Sequence, residues 1–471
     1  MRVPVFQDLL ADFETPLSAY WKLCANEPYS FLFESVTGGE HLARYSILGT
    51  RPRCILKSKN KQLTKIQEGK TTTRELAEGE DPLHALEAEL LPTLSIPGMP
   101  KFEGGAVGML AYDIVRFFER LPDSNPDDLQ LDDMAMMLED AVVVFDHAKN
   151  IIRVVVNAAP TEEGYESACQ EITRIVNILK GPLPELPYSK GEKQEVTSNF
   201  KREDFEKAVA RASEYILAGD ALQIVPSQRF STKCTAHPLS VYRALRSLNP
   251  SPYMFLMRFG DYDLVGASPE ILVGVQNRIA TVRPIAGTRK RGKTQAEDLA
   301  NEQELLADEK ERAEHIMLVD LGRNDLGRVS KIGSVKVDDL MVIERYSHVM
   351  HIVSEVSGEL LPEKSGFDVV RSCFPAGTVT GAPKVRAMQI IDELEPSRRG
   401  LYAGAVGYFG ANGNLDLSIA IRSILIKNGT AHVQAGGGVV ADSQPWFEYE
   451  ESVNKAKACL KALEIAETGE L

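Results

Sequence analysis

Two pairs of glutamates stand at i,i+3 spacing in distant parts of the chain, Glu311-x-x-Glu314 and Glu448-x-x-Glu451. On a helix that spacing turns both carboxylates of a pair to one face. Two such faces brought together would make an all-oxygen site for a hard cation such as Mg²⁺, with positions left over for water and substrate. The same spacing also suits an acidic helix surface in water, and by itself it does not separate the two. Gly436, Gly437 and Gly438 lie between the strand-like Val433 and Val439. Glycines weaken a strand, so either a bulge or a close approach of backbone to a ligand accounts for them. The small-residue run Phe374–Lys384 precedes a helical pattern of Val385, Met388 and Ile391. Its amides and hydroxyls suit an anion at a helix start, or a structural turn. Arg422 interrupts an apolar run from Ser418 to Ile426; a buried guanidinium needs an anionic partner and grips a carboxylate with two hydrogen bonds. His348 and His351 follow a strand-like stretch and read as bases or as structural residues.

Gly287-Thr288-Arg289-Lys290-Arg291-Gly292-Lys293-Thr294 satisfies the nucleotide-binding P-loop pattern, and Ile316–Asp320 imitates its partner strand. A P-loop needs a pliant loop whose amides wrap phosphates at a helix N-terminus. Here the loop interior carries three long cationic side chains, and the segment after it holds Glu297, Asp298, Glu302, Glu304, Asp308 and Glu309. Acids in that place compete with a triphosphate, so the match is set aside.

The elements that must position these groups are ordinary ones. The chain has 471 residues, 44% hydrophobic and 25% charged, with a net charge of −14. That balance excludes a basic face for nucleic acid or for an anionic membrane surface. The longest apolar runs, such as Ala141–Phe145, fall far short of the roughly 18 residues of a membrane span. Arg2, Asp8 and Asp12 leave no secretory apolar core at the start. Six scattered cysteines without a C-x-x-C pair read as reduced cytoplasmic thiols. The segment 181–197, with Pro182, Pro184 and Pro187 before a charged run, reads as a connector between a region 1–180 and a region 198–471. Helices are expected over about 161–180, 205–216, 294–314 and 447–464, and strands over 222–225, 253–259, 403–409, 418–426 and 431–440. Strands come in hairpin-like runs, which points to a largely antiparallel α+β architecture.

Together the motifs resemble the chorismate-utilising enzymes, and among them the anthranilate synthase component I branch. The matching segments include Leu222–Phe230, Gly266–Glu270, Arg283–Arg289, Val319–Asp325, His348–His351, Phe374–Lys384 and the Gly436 triplet with the closing helix. The resemblance implies large, mostly antiparallel sheets packed together with helices outside. It implies Mg²⁺ held by Glu314 and Glu451, with Glu311 and Glu448 beside them. Tyr402, Arg422 and the backbone of Gly436, Gly437 and Gly438 would grip the enolpyruvyl carboxylate of chorismate, and Gly287 and Thr288 would join the substrate site. Thr378 and His351 would lie against the ring, His351 assisting pyruvate elimination, and Glu270 would protonate the departing ring hydroxyl. The implied reaction takes chorismate and ammonia to anthranilate and pyruvate.

Within that family, Ala286 stands where aminodeoxychorismate synthases carry a nucleophilic lysine, and Gln223 where isochorismate and salicylate synthases carry a lysine that activates water. Neither a methyl group nor an amide does that work, which leaves ammonia from outside. The resemblance implies a separate glutamine amidotransferase subunit as its source. Leu32–Ser35, Arg44–Ser46, Gly104–Gly108 and Asn249–Phe255 also match, and imply a feedback site for L-tryptophan framed by Glu34, Ser35, Pro252, Tyr253 and Met254. The alternatives are an aminodeoxychorismate synthase component I and, in a different class, a non-catalytic protein that binds tryptophan or a nucleotide.

Overall fold

The computed structural model describes residues 1–36, 44–94, 96–346 and 349–470; His348 lies outside them. Alternating strands build two large sheets, almost wholly antiparallel, as expected. The first runs in the order Val3–Leu10, Ile151–Ala158, Ala141–Asp146, Tyr45–Thr50, Tyr29–Glu34, Tyr253–Phe259, Tyr262–Ser268, Ser423–Lys427, Thr430–Gly436, Ser227–Lys233 and Thr197–Ser198. The second includes Ile285–Lys290, Val349–Glu359, Leu415–Ile419, Ala405–Gly410, Gly105–Leu110 and Met134–Glu139. Strands from both sides of the 181–197 segment meet inside each sheet: Tyr29–Glu34 pairs with Tyr253–Phe259, and Gly105–Leu110 pairs with Ala405–Gly410. Between the sheets lies an apolar layer that includes Phe31, Val107, Met137, Phe255, Met257 and Leu425. Helices cover the outer faces. Glu162–Leu179 and Pro445–Thr468 pack on the first sheet, and Glu309–Gly327 and Gly366–Cys373 on the second.

Two expected elements turn out to be divided, and both divisions place functional groups. The helix expected over 294–314 is two helices, Gln295–Ala307 and Glu309–Gly327. Asp308 takes an extended conformation between them, and its carboxylate accepts from the amides of Lys310 and Glu311, so it starts the second helix as an N-cap. The strand expected over 418–426 is likewise two, Leu415–Ile419 in the second sheet and Ser423–Lys427 in the first. Arg422 sits at the corner with φ of 51°, so it marks a crossing between sheets and not an intrusion into a strand. The last helix begins at Pro445, whose missing N–H costs nothing in the first turn.

Candidate active site

A cavity of about 800 Å³ opens between the Glu309–Gly327 helix, the start of the Pro445–Thr468 helix and the strands Ile285–Lys290 and Val349–Glu359. Its walls bring together Glu270, Gly287, Thr288, Glu311, Glu314, His351, Thr378, Tyr402, Arg422, Gly436, Gly438 and Glu451. Those are twelve of the fourteen residues read from the sequence as catalytic, substrate-binding or metal-binding. Gly437 and Glu448 stand behind the wall. A Cβ at Gly437 would lie 2.8 Å from Glu448 Oε2 and 3.7 Å from Glu451 Cδ, so the bare glycine lets both carboxylates close in.

The two glutamate-bearing helices face each other across the glycine triplet. Gln223 donates from Nε2 to Glu314 Oε1 at 2.8 Å, and a Cβ at Gly438 would come within 2.7 Å of that same Nε2. At Gly436 the neighbour is the Pro226 carbonyl, 2.3 Å from an added Cβ. The triplet is therefore demanded by close packing against protein groups, and its ends still border the cavity. Lys310 pairs with Asp442 at 3.0 Å, linking the helix start to the loop after the triplet. On the other side Lys455 holds Glu451 at 2.6 Å and donates to the Gly436 carbonyl at 3.1 Å.

Arg289 pairs with Glu311 at 3.2 Å and Lys455 with Glu451, which leaves Glu314 and Glu448 without a direct cationic partner among the described residues. Burial, together with the charges of Glu311 and Glu451, holds the Glu314 carboxyl above its usual range, and burial with Glu451 does the same to Glu448. Glu448 Oε2 is buried without a hydrogen-bond partner, a costly state for a carboxylate oxygen. Among the described residues no three acidic, histidine or cysteine side chains already close on a single point as ligands. Raised carboxyls and an orphaned oxygen are nonetheless what a hard cation relieves, so the donor set fits Mg²⁺.

The opposite wall carries the groups for proton transfer. The Ile285–Lys290 strand bulges between Ala286 and Thr288 against Ile352 and His351. Gly287 takes the left-handed conformation there, φ 65°, which glycine adopts without strain. The bulge aims the Gly287 carbonyl at His351 Nδ1, 2.9 Å away. A carbonyl only accepts, so Nδ1 carries the hydrogen and Nε2 keeps its lone pair. Thr288 Oγ1 stands 3.1 Å from the same Nδ1, and the Tyr346 ring meets the imidazole edge-on at 5.5 Å. Burial, helped by Arg422, lowers the His351 pKa, so the ring is a neutral base. Burial pushes the Glu270 carboxyl up to about 7, with Thr378 pulling the other way. A carboxylic acid there keeps its proton near neutrality.

Several wall residues escaped the sequence reading. Lys455 and Tyr346 are two, and Gln223 was read only as a missing lysine. Behind the wall, Arg399 is buried in an ion pair with Glu395 at 2.7 Å and donates to the carbonyls of Val225 and Val379 at 2.6 and 2.7 Å. Its guanidinium lies 5.3 Å from the Tyr402 ring centroid, so one side chain ties together three parts of the cavity wall. The i,i+4 spacing of Glu395 and Arg399 was the only sequence signal for it. The P-loop-like segment forms no phosphate loop: Asp298 accepts from the Gly292 amide at 2.8 Å and Glu297 from that of Lys293 at 2.8 Å.

A second cavity, about 120 Å³, is lined by Glu34, Ser35, Pro252, Tyr253 and Met254, with Phe33, Tyr45, Phe102 and Asp416. All five residues expected to frame an inhibitor are there. The Glu34 carboxylate is taken by Tyr242 at 2.7 Å and Arg246 at 3.0 Å, so it braces the wall. Ser35 Oγ and Asp416 Oδ1 are buried without partners, and burial pushes the Asp416 carboxyl up to about 6. A third cavity, about 230 Å³, shares Tyr253, Tyr408 and Asp416 with the second and Ile285 and Tyr346 with the first; Pro252 borders all three.

Residues 29–461 match the family model described as chorismate binding enzyme. The anthranilate synthase component 1 of Pseudomonas aeruginosa is 50% identical over 99% of this chain and 96% of its own length. That of Neisseria meningitidis serogroup B is also 50% identical, over the same shares. Among solved structures, anthranilate synthase component I from Streptococcus pneumoniae superposes with a TM-score of 0.81 at 41% identity, over 89% of this chain and 92% of that one. The menaquinone-specific isochorismate synthase of Escherichia coli, 17% identical with a TM-score of 0.73 over 98% of this chain and 94% of its own, shares the fold. Matched over residues 29–461 by that family model and over 99% of its length by these relatives, the chain belongs to the chorismate binding enzymes, in their anthranilate synthase component I group.

Proposed function

We propose that the chain converts chorismate and ammonia to anthranilate and pyruvate. The observation that carries this reading is the convergence of Glu270, His351, Tyr402, Arg422 and two glutamate pairs on one cavity. Arg422 and the Tyr402 hydroxyl bind the enolpyruvyl carboxylate. Glu270 hands its proton to the departing ring hydroxyl, which leaves as water while ammonia bonds to the ring. His351 Nε2 then takes the ring proton as the enolpyruvyl group departs to become pyruvate, and the ring becomes aromatic. Mg²⁺, held by Glu314 and Glu451 with Glu311 and Glu448 alongside, would supply positive charge to the ring carboxylate and fix its pose. Ala286 and Gln223 both line the cavity, and neither serves as a nucleophile or a base, which favours external ammonia over the aminodeoxychorismate route.

Ammonia is mostly protonated at neutral pH, so a glutamine amidotransferase subunit is the natural donor; the relatives' name, component 1, supports a partner. L-tryptophan is the guest we assign to the second cavity, a reading supported by a Ser35 hydroxyl and an Asp416 oxygen that lack partners among the described residues. Six cysteines that are free thiols support a reducing, cytoplasmic setting; no helix among the described residues is long and apolar enough to cross a membrane. The test is one assay. Chorismate, Mg²⁺ and ammonium at alkaline pH should yield anthranilate fluorescence, and chelation should abolish it. Glu451→Gln should lose at least about 100-fold in kcat/KM; a fully active variant would remove the metal assignment.

A further inference from the structure

His315 follows Glu314 directly and is wholly buried. The seam between its helix and the second sheet is apolar around it: Leu318 and Val319 are buried there, and Gly322 packs against Val282 and Val356, while at the helix start Arg289 of the Ile285–Lys290 strand pairs with Asp308 and Glu311 at 2.8 and 3.2 Å. Into that seam His315 brings a polar ring whose Nε2 lies 2.6 Å from Ser354 Oγ. Ser354 stands three residues beyond His351 on the Val349–Glu359 strand.

The hydroxyl has a second partner that holds it in place. The neighbouring strand Lys336–Arg345 slips register between Asp339 and Val342, and Met341 there has φ of 55°. The bulge turns the Met341 amide out of the ladder and into Ser354 Oγ at 2.9 Å. The Ser354 oxygen accepts from Met341 and still has a hydrogen and a second lone pair, so it bonds His315 Nε2 in either tautomer of the ring. Three elements thus meet at one hydroxyl: the bulged strand, the strand that carries His351, and the helix that carries Glu311 and Glu314. Apolar contacts resist separation but tolerate rotation and sliding, whereas a buried hydrogen bond fixes one geometry.

We propose that His315 is a positioning residue, whose bond to Ser354 sets the rotation of the Glu309–Gly327 helix so that Glu311 and Glu314 face the cavity. The proposal rests on the metal reading above for its consequence, though not for its geometry. Loss of the bond leaves this stretch of the helix on apolar contacts, anchored at its start by Arg289, so its rotation loosens and the carboxylates lose their common aim. Ser354→Ala removes the hydroxyl with little change of volume. His315→Phe keeps the ring without a hydrogen-bonding atom, and His315→Gln restores one near the Nε2 position.

Two measurements on the whole chain test this. Free Mn²⁺, followed by its paramagnetic resonance signal without substrate, should bind at least fivefold more weakly to Ser354→Ala and His315→Phe. His315→Gln should stay within twofold of the parent, and the double variant should be no worse than the poorer single. Hydrogen exchange should quicken in the 309–327 amides of the weakened variants and stay unchanged in the first sheet. Variants that melt lower yet bind Mn²⁺ as the parent does, or that leave exchange in 309–327 unchanged, overturn the proposal. A parent chain that binds no Mn²⁺ while exchange still quickens in the variants would sink the metal reading and leave the positioning role standing.

Discussion

The complementary roles proposed for Glu270 and His351 share one physical cause. Burial favours the uncharged form of each, so the acid keeps its proton and the base stays free of one. The sign follows directly for Glu270. Its working form is protonated, so kcat/KM for chorismate at constant free ammonia should be full below about 7 and fall as pH rises through that value. Glu270→Gln should remove that limb and lower the rate by about 100-fold or more; a pH profile of parent and variant checks both. At the second cavity, Ser35→Phe would fill a space of about 120 Å³. Tryptophan inhibition should drop by at least tenfold while uninhibited activity stays near that of the parent, as read from inhibition curves.

At the scale of elements, what was legible and what was not divides along local against non-local information. Helix Glu162–Leu179 and strand Tyr253–Phe259 match their sequence patterns because propensity and periodicity agree with packing there. The break at Asp308 was missed because helical periodicity runs on either side of it, and only a side-chain cap reveals the stop. The corner at Arg422 was missed because both flanks are apolar strands, and strand period does not tell which sheet a strand joins. The glutamate pairs were visible as spacing, but their convergence depends on topology, and the Arg399 hub depends wholly on tertiary contact. The glycine triplet shows the same limit: its composition was read as a bulge or as room for a ligand, and the spacing could not tell that its immediate neighbours are Pro226, Glu448 and Gln223. Gly438→Ala should therefore push Gln223 away from Glu314. We expect a rise in the Mg²⁺ concentration for half-maximal rate of at least fivefold with little change in melting temperature, and a magnesium titration with a thermal melt checks it.

Over the whole molecule, the segment 181–197 is a connector in covalent terms only. Strands before and after it complete each other's ladders in both sheets, and burial of the shared layer holds them together. Proteolytic cleavage within residues 188–194 should leave one particle of unchanged hydrodynamic size and near-parental activity, checked by gel filtration under native conditions and by denaturing electrophoresis. The fold was legible as a class, antiparallel α+β, because hairpin-like runs dominate; the interleaving of the two halves was not, since pairing partners lie more than 200 residues apart.

Pro252 touches all three cavities. The chamber proposed for the reaction and the chamber proposed for an amino-acid guest therefore have a piece of masonry in common. An inheritable change at that stone is seldom private to one room. Drift in the sensitivity of such a protein and drift in its turnover should travel together through this position, and breeding one without the other calls for substitutions further out along each wall.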